Sequence, residues 1–317
     1  MNLQQLRYAH EVASRNLSVT EAAAALFTSQ PGVSKQIRLL EVELGVDIFI
    51  RQGKRLTGVT EPGLHILGII KDVLSGLESL RQVGDDFRQA DSGTLTIATT
   101  HTQARYVLPP VVQAFRARYP KVRLELHQGN PVQICEWLVA GQADIAIATE
   151  LVDDQDDLVM LPCQQWNRSV IAPPGHPILD ARPLTLEAIA QYPVITYDTA
   201  FSGRSQINKA FAARHLKPNV VLTAIDADII KTYVGLGLGV GIVASMAFDA
   251  AADTGLRAMD ASHLFESSLT RIGLRRHVWL REYAYVFVGL FAPHLGPELV
   301  KQALRGDACD PGGDAGM

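Results

Sequence analysis

Four polar side chains, Gln30, Ser34, Lys35 and Arg38, recur at spacings of three and four within TSQPGVSKQIRLLE (28–41). On a helix they share one side, opposite a stripe of Val33, Ile37, Leu40 and Leu44. Gln and Arg make paired hydrogen bonds to base edges in a major groove, and Ser and Lys reach bases or phosphates; each good bidentate contact is worth about 1–3 kcal/mol of discrimination. Arg51, Lys54 and Arg55, a little further on, could hold phosphates and so set register without reading sequence. A lone Lys or Arg on a helix is commonly just solvated, so it is the combination that points to nucleic acid.

A second constellation lies in TTHTQAR (99–105). A strand ends in hydroxyls there and a helix starts near Gln103, which places free N–H groups and the positive end of a helix dipole beside Thr100, Thr102 and Gln103. Such a site suits a small anion. Thr149, at the end of another strand, would face the same crevice beyond the carboxyl ends of the sheet, and FSGRS (201–205) could close over it. Taken singly, each threonine is better read as a helix cap or an edge-strand residue. Arg105 and Arg204 are not assigned to the ligand, so hydroxyls and N–H groups would carry recognition.

The elements that must position these residues are readable in outline. Leu3, Leu6, Ala9, Val12 and Ala13 form one helical stripe; Ser18 with Glu21 fits a capping box for a second helix; Ser29, Pro31 and Gly45 start and stop a third. DIFIRQGKRLTGVT (47–60) turns around Gly53 as a hairpin wing would. From Thr60 a helix is expected to about Val83, with Ile66, Ile70, Val73, Leu77 and Leu80 as a seam for pairing with a second copy. Beyond QADSG, strands TLTIATT (94–100), VRLELHQG (122–129) and ADIAIAT (143–149) alternate with helices, which implies βαβ units. Later strands are expected in SVIAPP, PVITY, VVLTAI, GVGIVA and LTRIGLRR, with helices around 205–215, 226–236 and 279–293. The fold class is therefore α/β with an all-α winged helix-turn-helix head and a two-lobed body.

Composition sets the outer bounds. The chain has 317 residues, 47% apolar and 20% charged, enough for two or three domains with proper cores. Its net charge of −4 is uneven: residues 1–60 carry +2, which leaves −6 for the rest, a basic head on an acidic body. Arg7 and Glu11 interrupt any signal-like start and no run of 18 apolar residues exists, so a cytoplasmic location without membrane contact is expected. Cys135, Cys163 and Cys309 are widely spaced, odd in number and without metal-ligand spacing, and are expected as reduced thiols.

The stretch VTEAAAALFTSQPGVSKQIRLLEVELGVDIFIRQGKRLTGVTEPG (19–63) resembles the amino-terminal signature of LysR-type transcriptional regulators, departing where Ser18-Val19 stands in place of Leu-Thr. TTHTQARYVLP, DLVMLPCQQWNR, FSGRS and DADIIKTYVGLGLGVGIVASMAF extend the similarity over about 1–295, and resemble the branch of cysteine-regulon activators and their sulfur-assimilation paralogues. The resemblance implies a winged helix-turn-helix domain (1–59), a linker and dimerisation helix (60–90) and a periplasmic-binding-protein-like effector domain (91–300). Within the last, lobe I would be about 91–161 and 268–300, and lobe II about 162–267, with a disordered tail at 301–317. It implies effector contacts at Thr100, Thr102, Gln103, Thr149 and Ser202, with Trp166 near the pocket; Ser202 keeps the hydroxyl of the expected threonine and lacks its methyl. The implied effector is O-acetylserine or N-acetylserine, with sulfate, thiosulfate or sulfide as alternatives and adenosine phosphosulfate on the paralogue side. Promoter DNA, a homodimer assembling to a homotetramer, and RNA polymerase are the implied partners; no metal, cofactor or catalytic residue is expected.

Two other classes fit less well. Gly235, Gly237, Gly239 and Gly241 miss the dinucleotide fingerprint spacing and follow a helix where that fingerprint precedes one. Cys163 with His101 or His127 would be a nucleophile and base without any supporting local pattern. A solute-binding protein would match the lobes but not the basic head.

Overall fold

The computed structural model describes residues 1–53, 55–88, 91–149, 157–200, 203–276 and 278–306. It divides into two compact units, Met1–Arg88 and Gln89–Met317. In the first, α1 (Leu3–Ser14), α2 (Val19–Ala25) and α3 (Gln30–Leu44) enclose a core of Leu6, Ala9, Val12, Ala22, Val33, Ile37 and Leu40. Side-chain caps start each helix, because the first N–H groups have no partner within it. Ser29 Oγ accepts from Gly32 N at 3.3 Å and Ser18 Oγ from Glu21 N at 3.3 Å. The full reciprocal box is at Asn2 and Gln5, with bonds of 2.9 and 3.0 Å. Gly45 ends α3 at φ 71°.

The wing is an antiparallel hairpin of β1 (Phe49–Gln52) and β2 (Arg55–Val59), turning at Gly53 with φ 63°. Next comes α4, Glu61–Arg88, past the Val83 expected from the sequence. Thr60 caps it: its hydroxyl donates to the Asp47 carbonyl at 2.6 Å and accepts from Gly63 N at 2.9 Å. Two expectations need correcting here. Leu44 is 38% exposed, since the last turn of α3 overhangs the core. Ile66 and Ile70 do not belong to a free seam, because they pack with Leu67 and Leu74 on the head's own core. The outward apolar face of α4 carries Ile69, Val73 and Leu80 instead.

The second unit holds two five-stranded sheets. Lobe I orders β4 (Val122–Gln128), β3 (Gly93–Thr99), β5 (Ile145–Thr149), β12 (Ser268–Arg275) and β6 (Leu158–Trp166), with β3 parallel to β4 and β5, and β12 antiparallel to β5 and β6. A π-helical turn (Gln103–Val107), α5 (Leu108–Arg118), α6 (Pro131–Val139), α10 (Glu282–Phe291) and α11 (Pro297–Arg305) complete it. Lobe II orders β11 (Arg257–Asp260), β7 (Arg168–Ala172), β10 (Val240–Ala244), β8 (Pro193–Tyr197) and β9 (Asn219–Ala224), flanked by α7 (Leu186–Ala190), α8 (Arg204–Ala213) and α9 (Ala227–Gly235). Strands β5, β7 and β10 are buried throughout; the runs of β5 and β10 are nearly unbroken apolar ones, whereas β7 opens on Arg168 and Ser169.

Two boundaries differ from the expectation. β6 pairs along its whole length with β12, so lobe I runs to Trp166 and not to 161. Residues 301–305 are helical and not a tail, since Val300, Ala303 and Leu304 recur at helical spacing and are buried in the lobe I core; positions 307–317 lie outside the described residues. In VGLGLGVG, Gly239 and Gly241 serve packing: a Cβ would stand 2.3 Å from the Pro193 carbonyl oxygen at the first and 2.6 Å from the Ile171 side chain at the second, whereas Gly237 takes a left-handed φ of 80°.

At Gly63 a Cβ would stand 2.1 Å from the Ile48 carbonyl oxygen, a backbone atom with little room to give. Gly63→Ala should therefore destabilise the head by about 1–3 kcal/mol, read as an earlier thermal unfolding step, while Gly68→Ala, with nothing within 4 Å, should not.

Candidate nucleic-acid and effector sites

On the head, Gln30, Ser34, Lys35, Arg38 and Arg51 line one concave surface of about 490 Å³, together with Leu39, Val42 and Gly53. The structure thus brings the α3 residues and one wing residue to a common face. Gln30, Lys35 and Arg38 are exposed, as is Arg55 on β2, whereas Lys54 lies outside the described residues. Arg51 has a prior commitment that corrects its reading as a simple phosphate holder. Its Nη2 pairs with Glu41 Oε2, while Glu41 Oε1 accepts the N–H groups of Ile48 and Phe49 at 3.0 and 3.2 Å. Glu41, only 5% exposed, therefore fixes the wing to α3, and Arg51 balances its charge. Nothing local in the sequence marks Glu41 as buried.

In the second unit, Thr100, Thr102, Gln103, Thr149 and Trp166 converge on one cleft with His101, Tyr197, Ile225 and Ala244. Thr100, Gln103 and Thr149 belong to lobe I and are buried; Tyr197, Ile225 and Ala244 belong to lobe II. Ser202 lies outside the described residues. Trp166 Nε1 donates to Thr149 Oγ1 at 3.1 Å, and Gln103 Nε2 donates to Thr270 Oγ1 at 3.0 Å. Both bonds hold these polar side chains in fixed orientations near the strand ends. Gln103 Oε1 is buried and makes no protein hydrogen bond, which leaves an acceptor to satisfy. Tyr197 is fully enclosed; burial raises its phenol, while the Ala244 N–H, at 3.1 Å, and the Thr102 hydroxyl act against that. Between these groups the cavity is about 20 Å³, little more than one water molecule, so a larger ligand enters only with movement of the lobes.

Contacts at the cleft mouth had no sequence signal, because they join positions about 120 residues apart. Asp228, in the first turn of α9, accepts a 2.7 Å bond from Tyr106 Oη and lies 3.6 Å from Arg105 Nε and 3.4 Å from Lys231 Nζ. His101 Nε2 is 4.0 Å away. Burial alone would raise the Asp228 carboxyl, but the Tyr106 bond, Lys231 and Arg105 bring it below its ordinary value. The Tyr106 hydroxyl moves the other way, raised by burial and by that same carboxylate. His101, Asp226 and Asp228 also lie close enough to share an ion, yet the cations around Asp228 already supply its counter-charge. Tyr106 and Trp166 pack on the lobe II core, so this mouth is an apolar and ionic contact between lobes. Arg204 is committed elsewhere, to the Tyr197 carbonyl at 3.0 Å and Asn208 at 2.8 Å. Cys163 is no nucleophile: burial pushes its thiol up to about 12.

Comparison with known proteins places this arrangement. Residues 3–64 match the bacterial regulatory helix-turn-helix family of LysR type, and residues 88–295 match the LysR substrate binding domain. Across 308 residues the chain is 53% identical to the HTH-type transcriptional regulator CysB of Burkholderia cenocepacia, covering 97% of this chain and 98% of that one. The regulator SsuR of the same organism is 54% identical, over 96% and 99% of the two chains. The crystal structure of the cofactor-binding domain of the Cbl transcriptional regulator superposes with a TM-score of 0.65 at 46% identity, over 67% of this chain and 93% of that one. The chain belongs to the LysR family of transcriptional regulators. Its head is accordingly a DNA-binding domain and its two-lobed unit a small-molecule effector domain; its relatives are regulators and not enzymes. No helix among the described residues is long and apolar enough to cross a membrane.

Glu41→Ala would strand two buried N–H groups and the Arg51 guanidinium, and should cost the head about 3 kcal/mol, measurable by denaturant unfolding; Glu41→Gln, which keeps an acceptor, should cost less. Tyr106→Phe removes one interlobe bond, worth about 1 kcal/mol. Amide exchange should then quicken in α9, and unchanged exchange there would show that this bond does not hold the lobes together.

Proposed function

We propose that this regulator governs genes of sulfur assimilation and cysteine biosynthesis, and that its effector is a small molecule such as O-acetylserine, N-acetylserine or a sulfur oxyanion. One observation carries the choice of ligand class: the cleft is lined by hydroxyls and an amide, with no Lys or Arg among the described lining residues. Such a lining suits a small polar molecule bearing a single carboxylate or oxyanion. A nucleotide such as adenosine phosphosulfate would demand far wider opening of a cavity of about 20 Å³. Similarity to CysB and SsuR along nearly the whole chain supports the sulfur-related role. No resident cofactor or metal enters this reading.

Self-association through α4 belongs to the same proposal. Ile69, Val73 and Leu80 are 64%, 41% and 70% exposed, a face that a second copy would cover, and two such dimers would present four heads to a promoter. Effector binding acts on DNA only if the ligand favours one lobe arrangement over the other; couplings of about 1–3 kcal/mol change promoter occupancy several-fold.

Footprinting on a sulfur-gene promoter with and without acetylserine tests the coupling, and an identical footprint and bend at saturation would overturn it. For the head, Arg38→Ala should weaken specific binding by about 1–3 kcal/mol and leave non-specific binding nearly intact. Arg55→Ala should weaken both and lower the salt slope by about one. Equal losses from the two substitutions would contradict the groove assignment.

A further inference from the structure

Arg168 opens β7 and is only 1% exposed, a rare place for a guanidinium. Its Nη1 donates to the Glu266 carbonyl at 3.0 Å, and its Nη2 to the Gly203 carbonyl at 3.2 Å and to Ser268 Oγ at 2.8 Å. The guanidinium carbon is 5.0 Å from the centre of the Trp166 ring and 5.9 Å from that of Phe265. One side chain therefore grips three segments: the crossing from lobe I to lobe II at 166–168, the return crossing at 266–268, and the turn that leads into α8. Gly203 has φ 102°, and a Cβ there would stand 3.3 Å from Arg168 Nη2 and 3.5 Å from the Trp166 ring, so the glycine lets this turn press on both.

The cation adjoins the cleft without lining it. Trp166 is common to both environments. At Tyr197, on the cleft wall, the Arg168 charge opposes the rise that burial imposes on the phenol, so its field extends into the site. A guanidinium stays charged at any working pH, and in a poorly screened interior its field extends over several ångströms. We propose that Arg168 is a positioning residue that sets the charge preference of the cleft: it holds the Gly203 turn against both lobe crossings and biases the site towards anions while touching no ligand. The proposal rests on the cleft being the effector site. A purely structural Arg168 would, when altered, weaken every ligand alike; a charge-setting one weakens ligands in order of their negative charge.

Calorimetric titration of the full chain at pH 7 and fixed ionic strength, with sulfate, N-acetylserine and the net-neutral O-acetylserine, separates these cases. Arg168→Lys, which keeps the charge and loses the planar fork, should preserve the ranking of the three ligands. Arg168→Met should lose about tenfold in affinity for each negative charge on the ligand, most for sulfate and least for O-acetylserine. Ser268→Asp sets a carboxylate beside the guanidinium and leaves Arg168 in place, so it should reproduce that graded loss even if the Met variant fails to fold by thermal unfolding. Equal losses for the three ligands, or none, would overturn the proposal. A wild-type protein that binds none of them would overturn the effector reading of the cleft, and this proposal with it.

Discussion

Strand β12 lies between β5 and β6 in the lobe I sheet, although 101 residues, which include lobe II, separate Trp166 from its ladder partner Ser268. Lobe I is therefore complete only after the chain has gone out through lobe II and come back. That topology produces the two crossings, 166–168 and 266–268, and the cleft is the space between the two bodies that the chain links there. The strand ends of lobe I then face lobe II, where Thr100, Thr149 and the unbonded acceptor Gln103 Oε1 line the cleft.

This constraint explains the chemistry of the crevice. Thr149 and Thr100 sit at the ends of adjacent parallel strands of lobe I or just beyond them, and Gln103 begins the π-helical turn that follows β3. Hydroxyls suit such positions because they satisfy neighbours locally when the lobes part and offer bonds to a ligand when they close. The charged groups stay out of the lining: Asp228, Arg105 and Lys231 gather at the mouth, and Arg168 lies behind Trp166's contacts with the crossings. Trp166 links the two regions, since it donates to Thr149 in the cleft and packs on the lobe II core at the mouth.

The head follows a separate logic. Glu41 uses one carboxylate to accept the N–H groups of Ile48 and Phe49 and to hold Arg51, so α3 and the wing are tied together. The exposed side chains of α3 are then presented from a rigid support, which is what sequence reading by hydrogen bonds requires.

Much of this was legible in the chain itself. Caps at Ser18, Ser29 and Thr60, the glycine stops at Gly45 and Gly53, and the stripe Val33–Ile37–Leu40 are local signals, set by bonds and contacts within a few residues of each other, and they placed the helices and wing. The long motifs indicated the family and the threonines of the cleft. What the sequence could not disclose depends on distant partners: that Glu41 and Arg168 are buried, that Ile66 and Ile70 serve the head's own core, that β6 belongs to lobe I, and that Tyr106 meets Asp228. Periodicity says which face of an element is apolar but not what covers it, and a charged residue looks the same in sequence whether water or a folded partner receives it. Only the tertiary structure decides that, because burial and pairing are properties of the assembled chain.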